Sequence, residues 1–429
     1  MTYIQQFEDR VRCDNSAAAS GRRRTAIILC IALVLRLAVI VLVLAEYPAG
    51  WLFRSQGELG FLAQSILHGH GMTSPFGGST GPTAFLAPGY PAMIAVIFRC
   101  FGVFTPAAAL ATMLLQLAFC VATVYLVMRV AEQEFGTQAA NIAGVIWAIH
   151  PLYVWLPVVF WDTSLTLLFA IAAIWLTLKT VRTPSVRNWT WMGLLGACVL
   201  LVNPSLVLLL IAAFIWTVWQ TRAKSHLGPV LAVAALLLIY TAWPVRNYYA
   251  LHAFVPLRSN FGFELWKGNR PGATTVDDSK LYPVFNRPEY NRYAAEGEIA
   301  FMSNKTATAK HYIATHRGEF IELSIRRFVG YWTAMGTGQG AFIATLITLS
   351  TALGLLGLLL LWNEERRSLA TLFLLCIALF PLPYYITHAE VRFRLVLEPV
   401  MTLLASYAVA KLLSARTGST ASIDPAGSS

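Results

Sequence analysis

The sequence predicts an all-α polytopic membrane protein, and three observations carry that expectation. Of 429 residues, 57% are hydrophobic and only 12% charged, with a mean hydropathy of +0.60. The apolar material comes in runs of about twenty residues, enough at about 1.5 Å per residue to cross a hydrocarbon layer of about 30 Å. Basic residues between the runs fall on one side of the membrane in a single consistent topology. The excess of 32 Lys+Arg over 21 Asp+Glu, a net +11, is therefore read as a topology signal, and with no interleaved basic and aromatic patch no nucleic-acid partner is expected. Of the six cysteines, Cys13 lies in the N-terminal arm and the other five lie in or beside hydrophobic segments. Neither a disulfide framework nor a thiolate metal site is expected.

Residues 1–24 read as a cytoplasmic arm ending in Gly21-Arg22-Arg23-Arg24, and the run 25–45 as an uncleaved first span. Arg36 inside that span costs roughly 2.5–3.5 kcal/mol at mid-membrane unless it faces the bundle, so an internal salt bridge is expected for it. Residues 46–106 form the first outer loop. Its stretch from Gly57 to Pro91 is too rich in Gly, Pro and polar groups to lie in lipid, where unpaired backbone groups cost several kcal/mol each. The segment Phe85–Gly102 is short, with Pro88 and Pro91 in its first turns and Arg99 near its end, which suits an interfacial helix better than a span.

If that segment does not cross, then Arg129, Lys179, Arg182, Arg187, Arg222, Lys224, Arg366, Arg367, Lys411 and Arg416 all share the side of the N-terminal arm. By the same rule the long apolar stretch 189–220 becomes a hairpin turning at Asn203-Pro204. Ten spans result, near 25–45, 107–130, 138–156, 162–180, 189–202, 204–220, 228–245, 341–362, 369–387 and 395–413, with both termini cytoplasmic. The first seven make an N-terminal module, 25–245, and the last three a C-terminal one, 341–413. Residues 246–340 form an outer loop carrying two amphipathic helices between Glu289 and Trp332, broken at His316-Arg317-Gly318, and 414–429 form a disordered tail.

This topology gathers polar residues on the outer face. They are Glu58, Trp161-Asp162, Asn203, Arg246-Asn247, and the run His388-Ala389-Glu390-Val391-Arg392-Phe393-Arg394. Chemistry at that face is the simplest reason for the gathering. His68, His70, His150 and His388 share the face, but their spacing matches no metal motif, and structural or solvent-facing roles are expected for them.

The order of GELGFLAQSILHGHG, TGPTAFLAPGYP, FWDTSL, WPVRNYYALHAFVPLRSNFGFELWKGN and HAEVRFRLVLEPV resembles the GT-C class of integral-membrane glycosyltransferases. Relatives in that class include the protein O-mannosyltransferases and the enzymes that add aminoarabinose to lipid A. The resemblance spans about Thr25 to Leu413. It implies a polyprenyl-phosphate or pyrophosphate sugar donor, an acceptor that is a lipid, a glycan or a protein, and transfer on the extracytoplasmic face. It also implies interfacial helices between the first two spans, and a bacterial cytoplasmic (inner) membrane as the location. One departure stands out: Gln56 lies near Glu58 where many members carry a second acid. No cofactor is required by the reading, and a divalent cation is left open.

Transfer from a lipid phosphate needs a carboxylate to take the acceptor proton, cations to neutralise the departing phosphate, and a dry pocket. Glu58 is the expected general base, with capping of its own helix as the structural alternative. Asp162 would position the acceptor or share a cation, or simply cap its span. Arg392 and Arg394 are candidate phosphate ligands, followed by Arg246 and Arg258. Two residues apart, the first pair points to opposite sides if the segment is extended, so one of them can pair instead with Glu390 or Glu398. Glu390 and Asn203 complete the expected substrate-binding set. A transporter or flippase of lipid-linked sugar would use the same basic groove without the chemistry, and a structural subunit of an envelope complex would need neither Glu58 nor Arg392.

Overall fold

A computed structural model describes residues 18–48, 52–53, 57–221 and 227–420. The expected arm and tail therefore fall partly outside the described residues, as do Cys13, Gln56, Arg222 and Lys224. Within them the chain is helical, and the isolated antiparallel bridge Thr73–Pro82 is its β pairing. The first helix runs Ala18–Glu46, starting inside the stretch read as the arm, and the last runs Glu398–Thr420, continuing past 413 into the stretch read as tail.

Six helices are long and apolar enough to cross a membrane: Gly21–Glu46, Pro106–Phe135, Thr163–Arg182, Leu227–Leu251, Ala341–Asn363 and Arg367–Ile386. A seventh is reached if Thr137–Ile149 and Pro151–Val158, bent by 58°, count as one broken span. The chain is thus an integral membrane protein with six or seven candidate spans among the described residues by length and composition, and the count of ten is not confirmed. Helices do occupy the remaining stretches, but Val186–Val202 and Pro204–Gln220 are shorter apolar pieces. They separate at Asn203, where Pro204 cannot donate to the preceding turn. The helix Gly89–Phe101 has 13 residues, about 20 Å, too short to span, in keeping with an interfacial placement.

The outer segment differs in one respect from expectation. Where two amphipathic helices were expected there are three, Arg287–Glu296, Glu298–Thr315 and Arg317–Thr333, after the shorter helix Phe261–Gly268. The break at His316 is where the pattern placed it, and a further break falls at Gly297, whose φ of 76° favours glycine.

Two apolar cores hold the fold. One lies in the bundle, around Trp147, Ile174, Trp216, Phe373 and Leu403. The other joins the first loop to the outer segment through Phe85, Tyr90, Phe98, Phe263, Tyr293 and Phe301. Two buried arginines in the bundle find local partners. Arg36 donates to the carbonyls of Ala32 (3.0 Å), Trp147 (2.7 Å) and Ala148 (3.3 Å). The expected salt bridge is therefore replaced by backbone oxygens, freed where the broken helix 137–158 leaves its last turn uncapped. Arg394 and Glu398, both fully buried, pair at 2.8 Å, and Glu398 also accepts from the hydroxyls of Tyr153 and Ser350.

Close helix packing relies on glycine. A Cβ on Gly357 would lie 2.1 Å from the Leu404 carbonyl oxygen, so Ala341–Asn363 and the last helix touch backbone to backbone. Gly357→Leu is expected to cost about 1–3 kcal/mol and to lower the thermal unfolding midpoint in detergent by several degrees. Gly340→Ala, with nothing within 4 Å of its added Cβ, should leave the midpoint unchanged.

Candidate active site

The irregular first loop sits where water cannot satisfy all its backbone groups, and side chains from the outer segment do so. Glu298 accepts from the Thr83 hydroxyl, the Ala84 N–H (2.6 Å) and the Tyr293 hydroxyl (2.6 Å). Arg246 donates to the carbonyls of Thr83 (2.8 Å) and Met72 (2.5 Å), and Arg258 Nε to that of Phe85 (3.1 Å). The Ser259 N–H donates to the Ala84 carbonyl at 3.0 Å. Sequence 70–86 and sequence 246–298 are thereby welded into one wall.

The last loop is attached to the same wall. Asn269 Nδ2 donates to the carbonyls of Leu265 and Ile386, both at 2.8 Å. Arg327 donates to Gly268 and Ile386, and the Ala389 N–H to the Thr275 carbonyl at 3.1 Å. Gly268 lies so close to Thr387 that a Cβ there would fall 1.8 Å from the Thr387 carbonyl oxygen. These contacts bring His388, Glu390 and Arg392 to the helix Phe261–Gly268.

Between the walls lies a cavity of about 650 Å³, lined by Glu58, Asp162, Asn203, Arg258, Glu390 and Arg392 among others. That is within the usual size of a small-molecule site. Six sequence-selected residues, from five separate stretches of chain, thus meet in one space. Arg246 and Arg394 are not among the lining residues: Arg246 clamps the first loop and Arg394 is spent on Glu398. The pairing of one arginine with Glu390 and the other with Glu398 is seen for both, since residues 391–395 form a short helix in which positions two apart diverge.

Glu58 opens the helix Glu58–Leu67 after Gly57, whose φ of 63° turns the chain into it. It is 5% exposed. Burial pushes its carboxyl up to about 7, against its own backbone amide and the charges of Lys267 and Arg392, with Glu264 adding to the rise. Burial likewise pushes Asp162 up to about 6, against Arg258 and Arg392. Asp162 precedes the helix Thr163–Arg182 but makes no side-chain capping bond, and its buried Oδ1 has no hydrogen-bond partner. Asn203 is partly committed, its Oδ1 accepting from the Ser205 N–H and hydroxyl.

Glu390 and Arg392 belong to a charged network whose other members, Glu264, Lys267, Asp277 and Tyr282, the sequence reading passed over. Lys267 Nζ lies 2.8 Å from Glu264, 2.7 Å from Asp277, and donates to the Tyr282 hydroxyl. Arg392 Nε lies 2.5 Å from Glu390, and its guanidinium stacks over Phe393 and Trp161 at 4.9 and 5.7 Å. Burial alone would raise the Asp277 carboxyl, but Lys267 and its neighbours hold it down at about 2. Burial pushes His388 down to about 4, so its ring is neutral. The available signals were small: the charged pair Glu264 and Lys267 inside an otherwise aromatic helix, and Asp277-Asp278 in a Gly-rich turn.

Residues 86–245 match the dolichyl-phosphate-mannose-protein mannosyltransferase family. No curated protein matches the chain in sequence. In fold, it is similar to the archaeal oligosaccharyltransferase AglB from Archaeoglobus fulgidus in complex with an inhibitory peptide and a dolichol-phosphate. That similarity has a TM-score of 0.51 at 14% identity, covering 94% of this chain and 52% of that one. The same enzyme's apo form gives 0.54 at 13% identity, covering 94% and 52%. This chain thus spans about half the length of those structures. ArnT from Cupriavidus metallidurans, in the apo state, gives 0.36 at 14% identity over 90% and 78%, too low a score to bear on the fold. The resemblance to GT-C glycosyltransferases read from the sequence is borne out as a family match in residues 86–245 and as a fold across the chain.

Two outcomes follow from the geometry. Between about pH 4.5 and 7 the native protein keeps the Glu58 proton that the unfolded chain has lost. Its contribution to stability is therefore full below the unfolded value and is lost as pH rises through about 7. Glu58→Gln should accordingly unfold at a higher temperature than wild type at pH 8 and at nearly the same temperature at pH 5. Glu298→Ala leaves three buried donors unpaired, at about 1–3 kcal/mol each, and limited proteolysis should then cut within residues 70–86 faster than in wild type.

Proposed function

We propose that the protein is a membrane glycosyltransferase that moves a sugar from a polyprenyl-phosphate donor to an acceptor hydroxyl at the extracytoplasmic face, with inversion. The observation that carries the reading is the cavity itself. It holds a buried acid poised near neutral pH, a second acid with an unpaired oxygen, and two guanidinium groups in one enclosed space. The family match over residues 86–245 and the shared fold supply the reaction class.

In this reading Glu58 takes the proton from the acceptor hydroxyl as the oxygen attacks the donor's C1 on the face opposite the phosphate. Arg392, with Arg258 across the cavity, neutralises the phosphate as the C1–O bond breaks. Asp162 orients the acceptor through its free oxygen, and Asn203 lines the same wall. Arg246 acts on the loop that carries the wall, and Arg394 acts within the bundle. An acid with a value near 7 is half-ionised at working pH, which is what a general base needs. The one-sided distribution of basic residues between the apolar runs supports a cytoplasmic N-terminus and, with it, a cavity on the outer face. Exposed Phe261 and Phe285 at its lining offer an apolar approach for the donor's lipid.

Purified full-length protein reconstituted with radiolabelled polyprenyl-phosphate sugars and a cell-envelope extract should transfer label, and Glu58→Gln should lose about 10²–10⁴-fold in rate while still binding donor. The wild-type rate should climb with pH through about 7 as Glu58 ionises, whereas Asp162→Asn should keep that limb with a lower maximum. Donor movement across the bilayer without any transfer would replace the enzyme reading with that of a carrier.

A further inference from the structure

In the cavity wall, three donor groups from two separated parts of the chain converge. Asp277, His388 and Glu390 each place one metal-capable atom within 4.8 Å of the others. His388 is 3% exposed, and both its ring nitrogens are buried with no hydrogen-bond partner. A buried imidazole with neither nitrogen satisfied is uncommon, because each unpaired polar group forfeits its hydration. Its Nε2 points at carboxylate oxygens, 3.7 Å from Glu264 Oε2 and 3.8 Å from Glu390 Oε1.

The neighbouring cations do not fill this space. Lys267 takes Asp277 Oδ1 at 2.7 Å, and Arg392 Nε takes Glu390 Oε2 at 2.5 Å. Arg392 Nη2 also reaches Glu390 Oε1, at a longer 3.4 Å, and that oxygen faces the imidazole, which neither cation contacts through a hydrogen bond. Three carboxylates (Glu264, Asp277, Glu390) face two cations (Lys267, Arg392), an excess of one negative charge. The His388–Glu390 separation of 3.8 Å and the 4.8 Å limit on the whole set are within reach, by side-chain adjustment of up to about an ångström, of the spacing around an ion with bonds of about 2.0–2.2 Å.

We propose that Asp277, His388 and Glu390 form a binding site for one divalent first-row transition ion, with Zn²⁺ as the best fit. One imidazole and two carboxylates are a borderline donor set that suits Zn²⁺ or Mn²⁺ better than Mg²⁺, which favours six oxygen ligands. All three residues line the cavity, so the remaining coordination positions open onto it. An oxyanion entering beside Arg392 would meet the ion there. Lys267 and Arg392 act as positioning residues that orient the two carboxylates. The proposal stands on this geometry and does not depend on the sugar-transfer reading.

The test is metal binding by the tag-free, chelator-stripped full-length protein in detergent, titrated with ZnCl₂ by calorimetry and checked by elemental analysis after desalting. One equivalent of Zn²⁺ is expected. His388→Ala and Asp277→Asn should each weaken binding by at least about tenfold, the usual effect of removing a ligand or its support. His68→Ala, in a different part of the loop, should bind as wild type does. X-ray absorption of the zinc-loaded wild type, which needs no variant to fold, should show one imidazole and oxygen neighbours at about 2.0–2.2 Å. Failure to retain an equivalent of zinc, binding unchanged in His388→Ala, or sulfur neighbours in the wild-type spectrum would each overturn the assignment. Because the readout is bound metal, a protein that binds zinc yet transfers no sugar would sink the enzyme reading alone.

Discussion

An irregular loop buried under other chain segments must have its backbone polar groups satisfied by protein, and the architecture is built around meeting that constraint. Residues 70–86 cannot form a helix through their Gly and Pro positions, and where they are buried water does not reach them. Glu298 and Arg246 reach in from the outer segment and take up the hydroxyl, amide and carbonyl groups of Met72, Thr83 and Ala84. The aromatic core that surrounds this clamp, with Phe85, Phe263, Tyr293 and Phe301, is what lets the outer segment sit as a rigid cover over the bundle. Glu58 owes its burial to the same arrangement.

The cavity sets buried acids beside tethered cations. Burial disfavours the charge of Glu58 and Asp162, and Arg392 acts on both. Lys267 and Arg392 are each tied to carboxylates, so their positive charge is held in fixed positions. Proton acceptors near oriented cations suit a reaction in which a hydroxyl loses a proton while an anion departs. The helix Phe261–Gly268 is central to this arrangement, because it carries Glu264 and Lys267 while its C-terminal end is held by Asn269 and Arg327.

Much of the outer-face set was legible in the sequence, for a physical reason. Charged and amide side chains are too costly to scatter through hydrocarbon without purpose, so Glu58, Asp162, Asn203, Arg258, Glu390 and Arg392 stood out against an apolar background. Lys267 and Asp277 did not, because the outer segment is rich in charge and a single ion pair there carries no contrast. His388 was assigned a bland role on spacing alone, although its environment depends on Glu264 and Glu390, which only folding brings near. Arg394 was read together with Arg392 from the same short run, and its partner Glu398 was one of two the sequence offered.

Composition and the pattern of apolar runs determined the class: a helical, membrane-embedded chain, with a short helix at Gly89–Phe101 and breaks at Asn203 and His316. These are local consequences of hydrophobicity, proline and length, and they need no knowledge of distant contacts. The number of full spans was not determined that way, since short apolar helices such as Val186–Val202 satisfy the same pattern as spanning ones. The allocation of charges was decided by tertiary structure. Whether an arginine meets a carbonyl, as Arg36 and Arg246 do, a buried carboxylate, as Arg394 does, or an open cavity, as Arg392 does, depends on which groups packing leaves unpaired, and that is a property of the assembled walls.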